Sequence, residues 1–160
     1  MGHVLVRHLL HAATVAAIAA GLAGCSTPTL QPFSTDGCSM FPDRALAGKA
    51  DWCGCCVAHD LAYWRGGTAA ERLAADRELA QCVTASSHDA ALAQTMLAGV
   101  RAGGGPYFVT AYRWGYGWPY GRMYQPLDAR EAAQADTLRA RYLATNPDLV
   151  CSKPGTNPVN

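Results

Sequence analysis

The cysteines constrain this chain more than any other feature. Seven occur in 160 residues, and three of them, Cys53, Cys55 and Cys56, fall within four positions. That density suits an exported chain held by disulfides in an oxidising compartment better than a cytosolic one. The odd count leaves one cysteine to be explained. Zinc is a weaker use of Cys53, Cys55, Cys56 and His59, because C-G-C-C-x-x-H is not a usual zinc-finger spacing. The length suits a single domain. A formal net charge of +1 without any basic run argues against nucleic acid as a partner.

The first 25 residues account for the odd cysteine. Arg7 is the only charge between Val4 and Gly24, and an apolar run extends from Leu9 to Ala23. The run fits a signal-peptide core and is short for a membrane span, which needs ~20 residues. It ends in Leu22-Ala23-Gly24-Cys25, followed by Ser26-Thr27-Pro28. This resembles a bacterial lipobox, in which the cysteine is acylated, with palmitate among the expected chains, and becomes the new N-terminus. Residues 1–24 are thus expected to be a lipoprotein signal peptide, with Cys25 as the attachment point of a membrane anchor. Residues 25–160 follow as one domain, with Ser26–Gln31 as a short tether. Ser26 after the cysteine favours the outer membrane within the bacterial cell envelope. Without Arg7 the 13 basic residues become 12, against 12 acidic ones. A neutral chain is held at a membrane by its lipid and not by a polybasic patch. Six cysteines remain, an even number that suits three disulfides, and the count alone leaves their pairing open.

The mature chain reads as all-α with irregular loops. Residues 33–49 carry turn signals, among them Asp36-Gly37 and Pro42-Asp43. Asp51 can cap a helix from about Trp52 to Arg65, which Gly66-Gly67 stops. Thr68-Ala69-Ala70-Glu71 is a capping box for a second helix reaching about Thr84. Ser87 can cap a third, from Ala90 to Arg101, with His88 beside it as a surface residue. Gly103-Gly104-Gly105-Pro106 ends that helix, and a last one covers about Ala129 to Ala144. Its charges, Arg130, Arg139 and Arg141 with Glu131 and Asp136, suggest a solvated face. Tyr107–Tyr124 is dense in Tyr, Trp and Gly. Packing over the helices is the favoured reading of it, and a membrane-interface surface is the other.

The chemistry lies on the first two helices. Cys55, Cys56, His59 and Tyr63 share one stripe at i, i+1, i+4 and i+8. The short link 66–68 makes the two helices antiparallel neighbours. A Cys55–Cys82 bridge, one of the open pairings, would bring His59 opposite Asp76. Four residues up one helix rise ~6 Å and six down the other ~9 Å, within side-chain reach. Asp76 has Arg72 as an alternative partner one helical turn away.

At these residues the chain resembles the phospholipase A2 family. Cys55-Cys56-Val57-Ala58-His59-Asp60-Leu61-Ala62-Tyr63 is similar to C-C-x-x-H-D-x-C-Y. Ala75-Asp76-Arg77-Glu78-Leu79-Ala80-Gln81-Cys82 is similar to C-D-R-x-x-A-x-C. Asp36-Gly37-Cys38-Ser39 stands where that family has its calcium loop. The resemblance spans about Asp36 to Val83 and does not extend beyond it. It implies an all-α phospholipase A2-like fold: two antiparallel disulfide-linked helices, a calcium loop and further helices. It implies the bridges Cys55–Cys82 and Cys38–Cys56, which leave Cys53–Cys151.

The resemblance also implies roles. His59 takes a proton from water, Asp76 fixes its ring, and Tyr63 holds Asp76. Asp60 and the carbonyls of Gly37, Ser39 and Phe41 hold Ca²⁺, a hard ion that takes oxygen ligands. The implied reaction is calcium-dependent hydrolysis of the sn-2 acyl ester of a phospholipid. Two departures qualify the match. Ala62 and Ala75 replace two cysteines that pair with each other in the family, and the loop Gly37–Pro42 has only one glycine. The glycine-poor loop supports a second expectation, a non-catalytic envelope lipoprotein that uses the fold as a scaffold or binding module.

Overall fold

A computed structural model describes residues 29–146 and Cys151. The expected signal peptide and the expected attachment point, Cys25, lie outside the described residues. Four helices carry the described chain: α1 (Cys53–Arg65), α2 (Ala69–Ser87), α3 (Ala90–Gly103) and α4 (Ala129–Thr145). The only strand-like pairing among the described residues is an isolated antiparallel bridge between Arg44 and Asp51. The fold is all-α and disulfide-stabilised.

The helix ends follow from local chemistry. At the start of α2, Thr68 Oγ1 accepts from the Glu71 amide while the Glu71 carboxylate accepts from the Thr68 amide, satisfying two free N–H groups. Asp128 and Glu131 do the same at α4. Asp51 stands one residue before the cap position of α1, yet its carboxylate accepts the Cys53 amide at 3.0 Å. The start of α3 differs from expectation. Asp89, not Ser87, is its cap and accepts from the Leu92 amide. Ser87 instead ends α2, with its hydroxyl donated back to the Val83 carbonyl. His88, expected beside a helix start, closes α2 in the left-handed conformation at φ 57°.

The central helix is α1, buried on most of its surface. Pairings between α1 and α2 run Cys55 with Cys82, His59 with Asp76 and Tyr63 with Arg72. Numbers rise on one helix as they fall on the other, so the two are antiparallel. On one side of α1, Trp52, Cys55 and Cys56 pack with Leu79 and Val83 of α2 and with Ala93 and Met96 of α3. On the other, Val57 and Trp64 pack with Leu30, Phe33, Trp118 and Ala135. Only Ala135 of α4 is fully buried, and its charged face meets solvent. Arg122 is the exception near it: it pairs with Glu131 through two bonds of 2.7 and 2.6 Å and lies over the Trp118 ring.

Three disulfides, Cys38–Cys56, Cys53–Cys151 and Cys55–Cys82, close the frame, the same pairs that the resemblance implies. Cys53, Cys55 and Cys56 are therefore all committed to bridges, which removes the zinc alternative. The aromatic segment divides. Trp114 and Trp118 are buried, and Trp114 packs with Tyr63, Ala75 and Ala62, filling space beside two small residues. The same segment also caps the end of α1: the Gly115 amide reaches the Tyr63 carbonyl, the Gly117 amide the Trp64 carbonyl, and the Trp118 indole the Arg65 carbonyl. These are carbonyls that a helix end leaves without partners. Packing is thus correct for its centre, while Tyr107, Phe108, Val109, Tyr112 and Tyr120 remain exposed.

Candidate active site

His59 is buried in the middle of α1 and faces α2. Its Nε2 lies 2.9 Å from Asp76 Oδ1. The Tyr63 hydroxyl donates to the same oxygen at 2.7 Å. Asp76 is completely buried. Burial alone would push its carboxyl up, but bonds from His59, Arg101 and Tyr63 outweigh this and hold it below the usual carboxylate range. The carboxylate is therefore ionised and can only accept, so the proton between them belongs to Nε2. Burial, with Asp76 beside it, pushes the Tyr63 hydroxyl upward against the opposing bond from Arg72, so Tyr63 stays a donor. The Tyr63 ring also stacks at a tilt on His59, with centroids 4.1 Å apart.

With Nε2 engaged, Nδ1 is the nitrogen left to the adjoining cavity, and among the described residues no hydrogen bond reaches it. The cavity has a volume of about 320 Å³. It is lined by His59, Asp60 and the loop 37–41 together with Leu79, Met96, Gly99, Val100, Gly103 and Gly104. Gly104 meets a steric demand here, because a Cβ at that position would stand 2.5 Å from the Tyr63 ring. Gly37, Ser39, Phe41, His59, Asp60 and Tyr63 all line this one cavity, and Asp76 lies directly behind the imidazole.

Asp60 has a different environment. It is half-buried, and its Oδ2 accepts from the Thr35 hydroxyl at 2.6 Å. Burial pushes its carboxyl up to about 7, with Thr35 opposing and the nearby Asp36 adding to the rise. Among the described residues Asp60 has no ion-pair partner, and such a carboxylate matches the chemistry of a hard-cation ligand. The adjoining loop is held in shape. Cys38 is bridged to Cys56, its amide donates to Asp43 Oδ1 at 2.8 Å, and the Phe41 amide donates to the Cys38 carbonyl. Gly37 has φ +83°, and a Cβ there would meet Asp43 Oδ1 at 2.5 Å, so glycine is required. Among the described residues no group of three His, Cys, Asp or Glu side chains is arranged to hold a metal. Beside the Asp60 carboxylate stand the Thr35 hydroxyl and the nearby Asp36, and the loop 37–41 lines the same cavity.

Several partners escape the sequence. Thr35 and Asp43 sit in a loop without a periodic signal. Arg101 donates to Asp76 Oδ2 at 2.7 Å from the last turn of α3. Arg72 was legible only as a neighbour of Asp76 by helical spacing; its Nε lies 3.9 Å from Asp76 Oδ2, and its closer bond is to the Tyr63 hydroxyl at 2.9 Å.

The chain matches no family model, no curated protein and no solved structure. What the site can do must therefore be read from its geometry. A neutral imidazole held at Nε2 by a buried carboxylate presents a lone pair at Nδ1, which is suited to taking a proton from a molecule in the cavity.

Proposed function

We propose that this chain is a phospholipase A2-type hydrolase that uses His59 to activate water against the sn-2 acyl ester of a phospholipid. The observation that carries the reading is the His59–Asp76 pair beside a largely apolar cavity that His59 and Asp60 both line. A scaffold has no physical need for a buried, oriented imidazole facing an open space. The exposed Met40, Phe108, Val109 and Tyr112 support a lipidic substrate, and Met40 and Tyr112 also line the cavity. Among the described residues no helix is long and apolar enough to cross a membrane. The proposed attachment is instead the acylated Cys25 in the bacterial envelope, which would hold the cavity near its substrate at high local concentration.

Each residue has a defined task. His59 Nδ1 accepts the proton of a water placed in the cavity. Asp76 keeps the opposite nitrogen protonated and carries the counter-charge when the ring becomes imidazolium. Tyr63 fixes the carboxylate, and the apolar wall takes the acyl chain and excludes bulk water. Asp60 with the carbonyls of Gly37, Ser39 and Phe41 is the proposed calcium site, and the unmatched half-buried carboxylate fits such an ion. When bound, calcium would supply polarisation of the ester carbonyl and charge for the oxyanion.

The test is fatty-acid release from phosphatidylcholine vesicles by the acylated protein, in calcium and in EDTA. Release that stops in EDTA is expected, and absence of release in calcium rejects the proposal. His59→Ala should lower the rate by about 10³-fold, in the range for loss of a general base, with the helical circular dichroism unchanged. Full activity in that variant would remove His59 from the reaction.

A further inference from the structure

The side of Asp76 turned away from His59 is held by α3. Arg101 Nη1 donates to Oδ2 at 2.7 Å, while Oδ1 receives His59 and Tyr63. Arg72 secures this arrangement from behind. It is buried, its Nε donates to the Tyr63 hydroxyl, and its Nη1 donates to the Tyr124 hydroxyl at 2.8 Å. Its Nη2 donates to the carbonyls of Val100 and Arg101 at 2.8 and 3.1 Å. Both carbonyls belong to the last turn of α3; that of Val100 also accepts from the Gly104 amide, and that of Arg101 is one a helix end leaves without an intrahelical partner. Arg72 thus fixes the turn from which Arg101 reaches Asp76.

An ionised carboxylate can only accept at either oxygen, whereas a protonated carboxyl, the form that burial favours, could donate to Nε2 and place the ring proton on Nδ1. A cation bonded to the second oxygen favours the ionised form and fixes the plane of the carboxylate, and bonds from a cation to a buried carboxylate are the stronger kind. We propose that Arg101 is a positioning residue for His59. By pairing with Oδ2 it keeps the buried Asp76 carboxylate ionised and fixed in its plane, so Oδ1 can only accept and the neutral ring carries its proton on Nε2, leaving its lone pair on Nδ1. The guanidinium also balances the Asp76 charge while the imidazole is neutral. The effect on hydrolysis rests on the phospholipase reading, whereas the tautomer lock does not.

The test compares Arg101→Gln and Arg101→Lys with the wild-type chain, all with their disulfides formed. Arg101 is 40% exposed on its side chain, so the glutamine is accommodated at the surface. Nitrogen-15 NMR of the neutral His59 ring should show the Nε2–H tautomer alone in the wild type. Arg101→Gln should show a mixture of tautomers and a kcat roughly a hundredfold lower, with KM little changed, as for a misplaced catalytic group. Arg101→Lys, which keeps a cation within reach, should restore the single tautomer and most of kcat. Wild-type kcat with an unmixed tautomer in Arg101→Gln would overturn the proposal, as would a lysine variant as impaired as the glutamine one. If the wild type releases no fatty acid, the phospholipase reading fails. The tautomer measurement then decides the proposal alone, a mixture in Arg101→Gln supporting it and no change rejecting it.

Discussion

Asp76 and Asp60 are two carboxylates on adjacent helices, one on each side of His59, and their surroundings push them in opposite directions. Asp76 is fully buried but accepts from an imidazole, a phenol and a guanidinium, so it stays ionised despite its burial. Asp60 is less buried, yet it has one hydroxyl donor and an acidic neighbour, and its carboxyl rises to about 7. Burial pushes both carboxyls up, and the donors that reach each one decide whether that rise stands. One site is electrostatically complete within the protein. The other has chemistry that a bound cation would complete.

The contrast can be broken most forcefully at the covalent frame. Replacing Cys55 and Cys82 together by alanine opens a loop of 27 residues. It should cost roughly 3.5 kcal/mol in denaturant unfolding. If the His59 tautomer survives in the folded fraction, the Asp76 network supports itself without the bridge. If it is lost, the network depends on the covalent clamp between α1 and α2.

Asp76→Asn should be nearly as damaging. It removes the charge between Arg101 and Arg72 and should destabilise by about 3 kcal/mol in chemical denaturation, moderated because Arg101 is partly solvated. Asp60→Asn in EDTA should have a far smaller effect on stability, while abolishing any response of the melting temperature to calcium. Equal losses of stability in the two variants would contradict the distinction drawn between the two sites.

The pH dependence in EDTA sharpens the same comparison. The folded-state value of Asp76 is lowered from 3.8, so its stabilisation is present above about pH 4 and is lost on further acidification. Asp60 is raised from 3.8 to about 7, so its contribution is complete below 3.8 and is lost as pH rises through 7. The metal-free protein should accordingly melt lower at pH 8 than at pH 5.5 on account of Asp60, and Asp60→Asn should flatten that slope. The smallest effect is expected from Thr35→Val, about 1 kcal/mol for one hydrogen bond, with the Asp60 carboxyl moving higher still by carbon-13 NMR titration.

Much of the helical frame was legible because its signals are local. Thr68 and Glu71 lie three residues apart and mark the start of α2 without reference to the rest of the chain. His59 and Tyr63 share a face of α1 through helical periodicity alone. The third helix shows the limit of such reading: Ser87 and Asp89 are both competent caps, and Ser87 is taken by the Val83 carbonyl of its own helix. His88 consequently ends one helix instead of starting the next. The aromatic segment shows it again, since composition cannot say which rings turn inward. Trp114 and Trp118 do so because their indoles find the carbonyls of Gly67 and Arg65.

By itself the sequence determined an all-α chain, the extents of its helices to within a few residues, and a stripe of His, Asp and Tyr on two helices joined by a short link. Only the tertiary structure decided that Arg101 holds Asp76 across 25 residues, that Thr35 holds Asp60 across 25, and that the segment around Trp118 closes α1 across 53. Backbone periodicity and capping act over a few residues and are written locally. Which donor reaches a buried carboxylate is settled only when packing brings distant segments together, and that same packing separates the charge of Asp76 from that of Asp60.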